Sequence, residues 1–108
     1  MSLDRIRLAS LHDKVMNAEQ AAAFIQDGMT VGMSGFTRAG EAKAVPLALV
    51  KRAKADPLKI TLITGASLGN DLDKQLTEAG VLARRLQSQV DNTLRKAINK
   101  GEVMNIDK

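Results

Sequence analysis

The chain has 108 residues, 44% hydrophobic and 26% charged, with a formal net charge of +4; this is the balance of one globular domain or part of one, not of a disordered chain. Cysteine is absent and His12 is the single histidine, which excludes disulfides, Fe–S clusters, a cysteine nucleophile and a multi-histidine metal site within one chain. Two phenylalanines are too few for a base-stacking platform, no apolar run reaches the roughly 18 residues of a membrane span, and residues 1–5 lack the apolar stretch of a signal peptide, so the expectation is a cytoplasmic protein with no metal, nucleic-acid or membrane partner.

Asn17 caps a helix expected over residues 18–26, with Gln20 in the capping-box position. Asp27-Gly28 stops it, and residues 30–34 form a short β-prone run. A glycine-bearing loop over residues 35–43 follows. The next helix covers residues 46–55, with Pro46 in its first turn. Asp56-Pro57 breaks it. Residues 58–64, LKITLIT, are the clearest strand of the chain. Leu62 and Ile63 are adjacent there, so both faces of this strand are expected to be buried. A second small-residue loop, residues 65–69, leads into a helix that starts at Asn70 or Asp71 and ends near Ala79, with Gly80 beyond it. Residues 81–86 read as a strand. Asp91 caps a helix over residues 92–99, stopped by Gly101, and residues 103–106 read as a last strand. Alternation at this spacing predicts βαβ units in a parallel sheet.

Two loops attract attention because each follows a strand. The first carries Gly32, Gly35 and Gly40, the second Gly65, Ala66, Ser67 and Gly69. Glycine permits close approach of a ligand to the backbone, and ligands of parallel sheets bind at the carboxyl ends of strands. Neither loop is G-x-G-x-x-G or a Walker A loop. Each reads equally as a tight strand-to-helix turn. If the two strands are parallel neighbours, Ser34, Thr37, Thr64 and Ser67 line one shallow crevice. Asp71 and Asp73 fall in the first turn of a helix and complement its dipole. Arg84-Arg85 reads as a solvated pair, and the remaining basic residues are spread along the chain as ordinary charged faces.

The motifs, in this order, resemble a known family. Asp27-Gly28-x-x-Val31-Gly32-Met33-Ser34-Gly35-Phe36 is similar to the first signature of coenzyme A transferases, with Ser34 in place of the first glycine of the turn and Gly32 interrupting the hydrophobic triplet. The strings SGFTRAGEAKAVPLAL, ITGASLGNDLDKQL and QVDNTLRKAINKGEVMNID resemble the amino-terminal part of the acetyl-CoA hydrolase/transferase family, which includes succinyl-CoA:acetate CoA-transferases. The resemblance covers residues 4–107. One departure is local: Arg85-Leu86-Gln87-Ser88-Gln89-Val90 stands where a Met-Pro-Phe-Gln-like segment is expected.

The resemblance implies a chemistry. In the family a glutamate attacks the acyl-CoA carbonyl, giving an acyl-glutamyl anhydride and then a glutamyl-CoA thioester, which divides one hard acyl transfer into easier steps. That glutamate belongs to a second domain. None of Glu19, Glu41, Glu78 or Glu102 stands in the matching motif, so no catalytic residue is assigned in this chain. The implied fold is α/β, an incomplete parallel sheet with helices on its faces, and residues 1–108 form a single partial domain. The implied substrate-binding residues are Gly35, Phe36, Thr37, Gly65, Ala66 and Ser67. CoA esters enter as substrates, with no covalently bound cofactor, and the partners are acyl-CoA and carboxylate substrates and, through uncovered sheet surface, a second copy of the chain. The expected function is the amino-terminal segment of a CoA-transferase or acetyl-CoA hydrolase, inactive alone. A stand-alone α/β module that binds CoA or a nucleotide, and a structural or interaction remnant, are the alternatives.

Overall fold

A computed structural model describes residues 3–35, 40, 42–65, 72–86 and 92–106. Helix α1 spans Ala18–Ala22, α2 Ala44–Ala55, α3 Leu72–Glu78 and α4 Asn92–Asn99. They alternate with strands β1 Thr30–Met33, β2 Ile60–Thr64, β3 Leu82–Leu86 and β4 Met104–Asn105. The strands form one sheet in the order β1-β2-β3-β4, and each neighbouring pair is parallel. The expected pairing of residues 30–34 with residues 58–63 is present, with Thr30 opposite Thr61 and Met33 opposite Thr64.

Local chemistry sets the ends of the elements. Asn17 Oδ1 accepts a hydrogen bond from the Gln20 backbone N–H at 2.8 Å, and Gln20 Oε1 accepts one from the Asn17 N–H at 2.9 Å. This is the capping box read from the sequence. Helix α1 nevertheless stops after Ala22, short of the expected residue 26. The N–H groups of Phe24 and Ile25 bond three residues back, to Ala21 and Ala22. The guanidinium of Arg52, from α2, donates to the carbonyls of Ala22 at 2.7 Å and of Ile25. A side chain of the next helix thus takes the carbonyls that a longer α1 would have satisfied itself. Helices α3 and α4 both end in Schellman turns. Gly80 (φ +71°) and Gly101 (φ +80°) occupy the left-handed position. Val81 N–H reaches Leu76 O and Glu102 N–H reaches Ala97 O. Only glycine takes that conformation readily, so both stops were visible in the sequence.

A strand order that advances one step at each right-handed crossover places every intervening helix on the same face of the sheet. The helices form one layer, with α1 beside α2, α2 beside α3 and α3 beside α4. Leu49 and Ala53 of α2, Leu72 and Leu76 of α3 and Leu94 and Ala97 of α4 pack on Ile60, Leu62 and Leu82. The expectation of burial on both faces is therefore corrected. Ile60, Leu62 and Thr64 point into the core, while Ile63 is 38% exposed on the opposite face. Adjacent apolar residues signalled two apolar faces, but among the described residues only one is covered. The amino-terminal turns Leu3–Arg5 and Ala9–Lys14 bury no residue. His12 packs locally, its Nε2 2.8 Å from the Ile6 carbonyl oxygen.

Candidate functional site

The carboxyl ends of β1 and β2 lie level, because Met33 and Thr64, the last residue of each strand, are register partners. The chain therefore leaves the sheet side by side at Ser34-Gly35 and at Gly65. The two exits touch: a Cβ on Gly65 would meet the Gly35 carbonyl oxygen at 3.1 Å. A side chain there would have to push a backbone carbonyl aside, which is a physical reason for glycine at position 65. Beyond the sheet, Ser34 Oγ donates to the Gly40 carbonyl, and Ala42 N–H donates to the Ser34 carbonyl at 3.3 Å. Gly40 and Ala42 are thus held against Ser34 just beyond the end of β1. Thr64 is buried and Ser34 exposed.

Of the six residues expected to bind substrate, Gly35 and Gly65 are brought together in this way. Phe36, Thr37, Ala66 and Ser67 lie outside the described residues, as does Glu41. Glu78 and Glu102 are exposed at the opposite end of the sheet, beside Lys59 and Gly80. The Asp27-Gly28 step is also at that end, and there its role is structural. Asp27 Oδ1 accepts from the Lys59 N–H at 2.7 Å, and Gly28 N–H donates to the Lys59 carbonyl at 2.8 Å. These bonds align the start of β1 with the approach to β2. An open groove of about 430 Å³ runs between α2 and α3, lined by Val50, Lys54, Gln75, Glu78 and Ala79. It offers a mixed-charge helix surface with no nucleophile beside a base.

The sequence reading missed one pair. Arg85 was expected in solvent and Asp73 on the helix dipole; both side chains are fully buried, at 0% exposure. Arg85 Nε donates to Asp73 Oδ1 at 2.9 Å and Arg85 Nη2 to Asp73 Oδ2 at 3.3 Å. Arg85 Nη1 donates to the Leu86 carbonyl. The cause is a β-bulge. Ile60 is opposite Leu82, but Thr61 is opposite Arg84, so Ala83 is an extra residue on β3. Strict alternation from the buried Leu82 would turn Arg84 inward and Arg85 outward. The extra residue inverts that phase.

The sequence is similar to those of known proteins. The sequence profile described as the acetyl-CoA hydrolase/transferase N-terminal domain matches residues 2–108. The chain belongs to that family. It is 43% identical over 105 residues to the succinyl-CoA:acetate CoA-transferase of Clostridium kluyveri, covering 95% of this chain and 20% of that protein. It is 40% identical over 97 residues to the propanoyl-CoA:succinate CoA transferase of Escherichia coli, covering 85% of this chain and 20% of that protein. With the acetyl-CoA hydrolase of Kluyveromyces lactis the identity is 37% over 109 residues, covering 97% of this chain and 21% of that protein. The chain thus spans about a fifth of the length of these relatives. As a member of the acetyl-CoA hydrolase/transferase family it represents the amino-terminal part. Among the described residues, no helix is long and apolar enough to cross a membrane.

Proposed function

We propose that this chain forms the amino-terminal wall of an acyl-CoA site in a CoA-transferase or acetyl-CoA hydrolase. The observation that carries the reading is the close approach of Gly65 to the Gly35 carbonyl at the carboxyl edge of a parallel sheet, the place where open α/β folds bind ligands. Family membership supplies the chemical class, since the relatives are named for CoA transfer between carboxylates and for acetyl-CoA hydrolysis. Gly65 lets the two strand exits close on each other, and the backbone of Gly35 and Gly65 faces the CoA ester or carboxylate at that edge. Phe36, Thr37, Ala66 and Ser67 complete the wall, Phe36 as an apolar surface. The nucleophilic glutamate is supplied by polypeptide other than these residues, so the chain alone performs neither transfer nor hydrolysis.

An assay of the purified chain tests this reading. With acetyl-CoA alone, and with acetyl-CoA plus succinate, release or transfer of CoA stays at the uncatalysed background. Turnover above background that disappears in Glu41→Gln would contradict the reading and place the nucleophile within this chain.

A further inference from the structure

A fully buried ion pair is an expensive way to fill a core. Each charge loses several kcal/mol of hydration, and apolar residues of similar volume are often as stable or more so. Such a pair fixes direction better than apolar packing does, because a planar guanidinium engages a carboxylate in one geometry. Where Arg85 and Asp73 stand is therefore informative. Asp73 is the second residue of α3, in its first turn. Arg85 is the penultimate residue of β3, and its third nitrogen holds the carbonyl of Leu86, where β3 ends. One guanidinium therefore ties the first turn of α3 to the end of β3, at the carboxyl edge of the sheet.

The bulge is a second, independent observation. Without Ala83 as the extra residue, strand alternation would aim Arg85 at the open face of the sheet. Bulges interrupt ladder pairing and recur where a side chain must be re-aimed beside a functional site. Here the re-aimed side chain is the one that reaches Asp73.

We propose that Arg85 and Asp73 are positioning residues for the acyl-CoA site, holding the first turn of α3 in register with the end of β3 at that edge. This rests on the reading of that edge as an acyl-CoA site. The pair acts through the helix turn it anchors.

The test uses the 108-residue chain carrying Asp73→Leu with Arg85→Met, and separately Arg85→Lys, which keeps the charge and loses the fork. Amide exchange is followed at Leu76 and Thr77, the first residues of α3 bonded within the helix, with Leu62 of β2 as the reference. Acetyl-CoA binding is measured by calorimetry. The double variant is expected to melt at or above the parent temperature. Exchange at Leu76 and Thr77 rises about tenfold relative to Leu62, and acetyl-CoA binding weakens about tenfold. Arg85→Lys gives a smaller change in both. A folded double variant with parental affinity overturns the proposal, whether or not its exchange has changed. Loss of binding with parental exchange also overturns it, because the side chains would then act on the ligand directly. If the parent chain does not bind acetyl-CoA, the acyl-CoA reading fails; the anchoring itself then stands on faster exchange and falls on unchanged exchange. Should the double variant not fold, Arg85→Lys decides by the same two measurements.

Discussion

At the residue scale, two positions govern the carboxyl edge of the sheet in opposite ways. Gly65 must be small and Arg85 must be paired. A methyl group at 65 would sit 3.1 Å from the Gly35 carbonyl oxygen, so Gly65→Ala should destabilise the chain by about 1–3 kcal/mol, the usual range for an overpacked contact. Urea unfolding measures it, and an unchanged midpoint would show that the two exits separate freely. Replacing only one member of the buried pair leaves the other charged and without its partner. Arg85→Leu alone should therefore cost about 3–5 kcal/mol, while Asp73→Leu combined with Arg85→Met should leave the stability at or above that of the parent. Equal losses in single and double variants would contradict this. The two glycines were legible because a strand followed by small residues marks a loop at the edge of a parallel sheet. The pair was not, because side-chain direction along β3 depends on a one-residue bulge. In the sequence LARRL plain alternation puts Arg85 on the outer face, and only the bulge reverses it.

At the scale of elements, the alternation of helices and strands was readable because its punctuation is chemical. Asn17 with Gln20 starts α1, and Gly80 and Gly101 end α3 and α4 through left-handed turns. The length of α1 was less readable, because its end is set by Arg52, some thirty positions away in the sequence. A five-residue helix has no stability of its own, since helix nucleation is costly and is offset only over longer runs or by packing. Two substitutions test this dependence. Asn17→Ala removes the cap and should cost about 1 kcal/mol. Arg52→Met removes the guanidinium bonds to the Ala22 and Ile25 carbonyls and leaves Ala22 only the Ile25 N–H; a net hydrogen bond of this kind is worth about 1 kcal/mol or somewhat more. Hydrogen exchange should then accelerate at Ala21 and Ala23, which bond to Asn17 and Glu19, and not at Leu62. Acceleration at all of these amides together would mean that α1 unfolds only with the whole domain.

For the molecule as a whole, the helices cover one face of a four-stranded parallel sheet. Parallel sheets in folded proteins are usually covered on both faces. The open face carries Ile63 at 38% exposure and Met104 at 61%, with Thr30, Gly32, Thr61 and Arg84 between the apolar positions. The isolated chain is expected to self-associate through this surface, since contiguous apolar patches favour association. Ile63→Lys should shift the light-scattering mass toward the monomer, and an association unaffected by that change would place the contact elsewhere. The edge with Gly35 and Gly65 and the edge with Lys59, Gly80 and Glu102 are opposite ends of the same sheet, each with resolvable glycine or lysine amides. The most direct measurement is therefore an amide chemical-shift titration of the chain with acetyl-CoA. The account predicts shifts concentrated at Ser34, Gly35 and Gly65. Shifts confined to Lys59, Gly80 and Glu102, or no shifts at all, would contradict it.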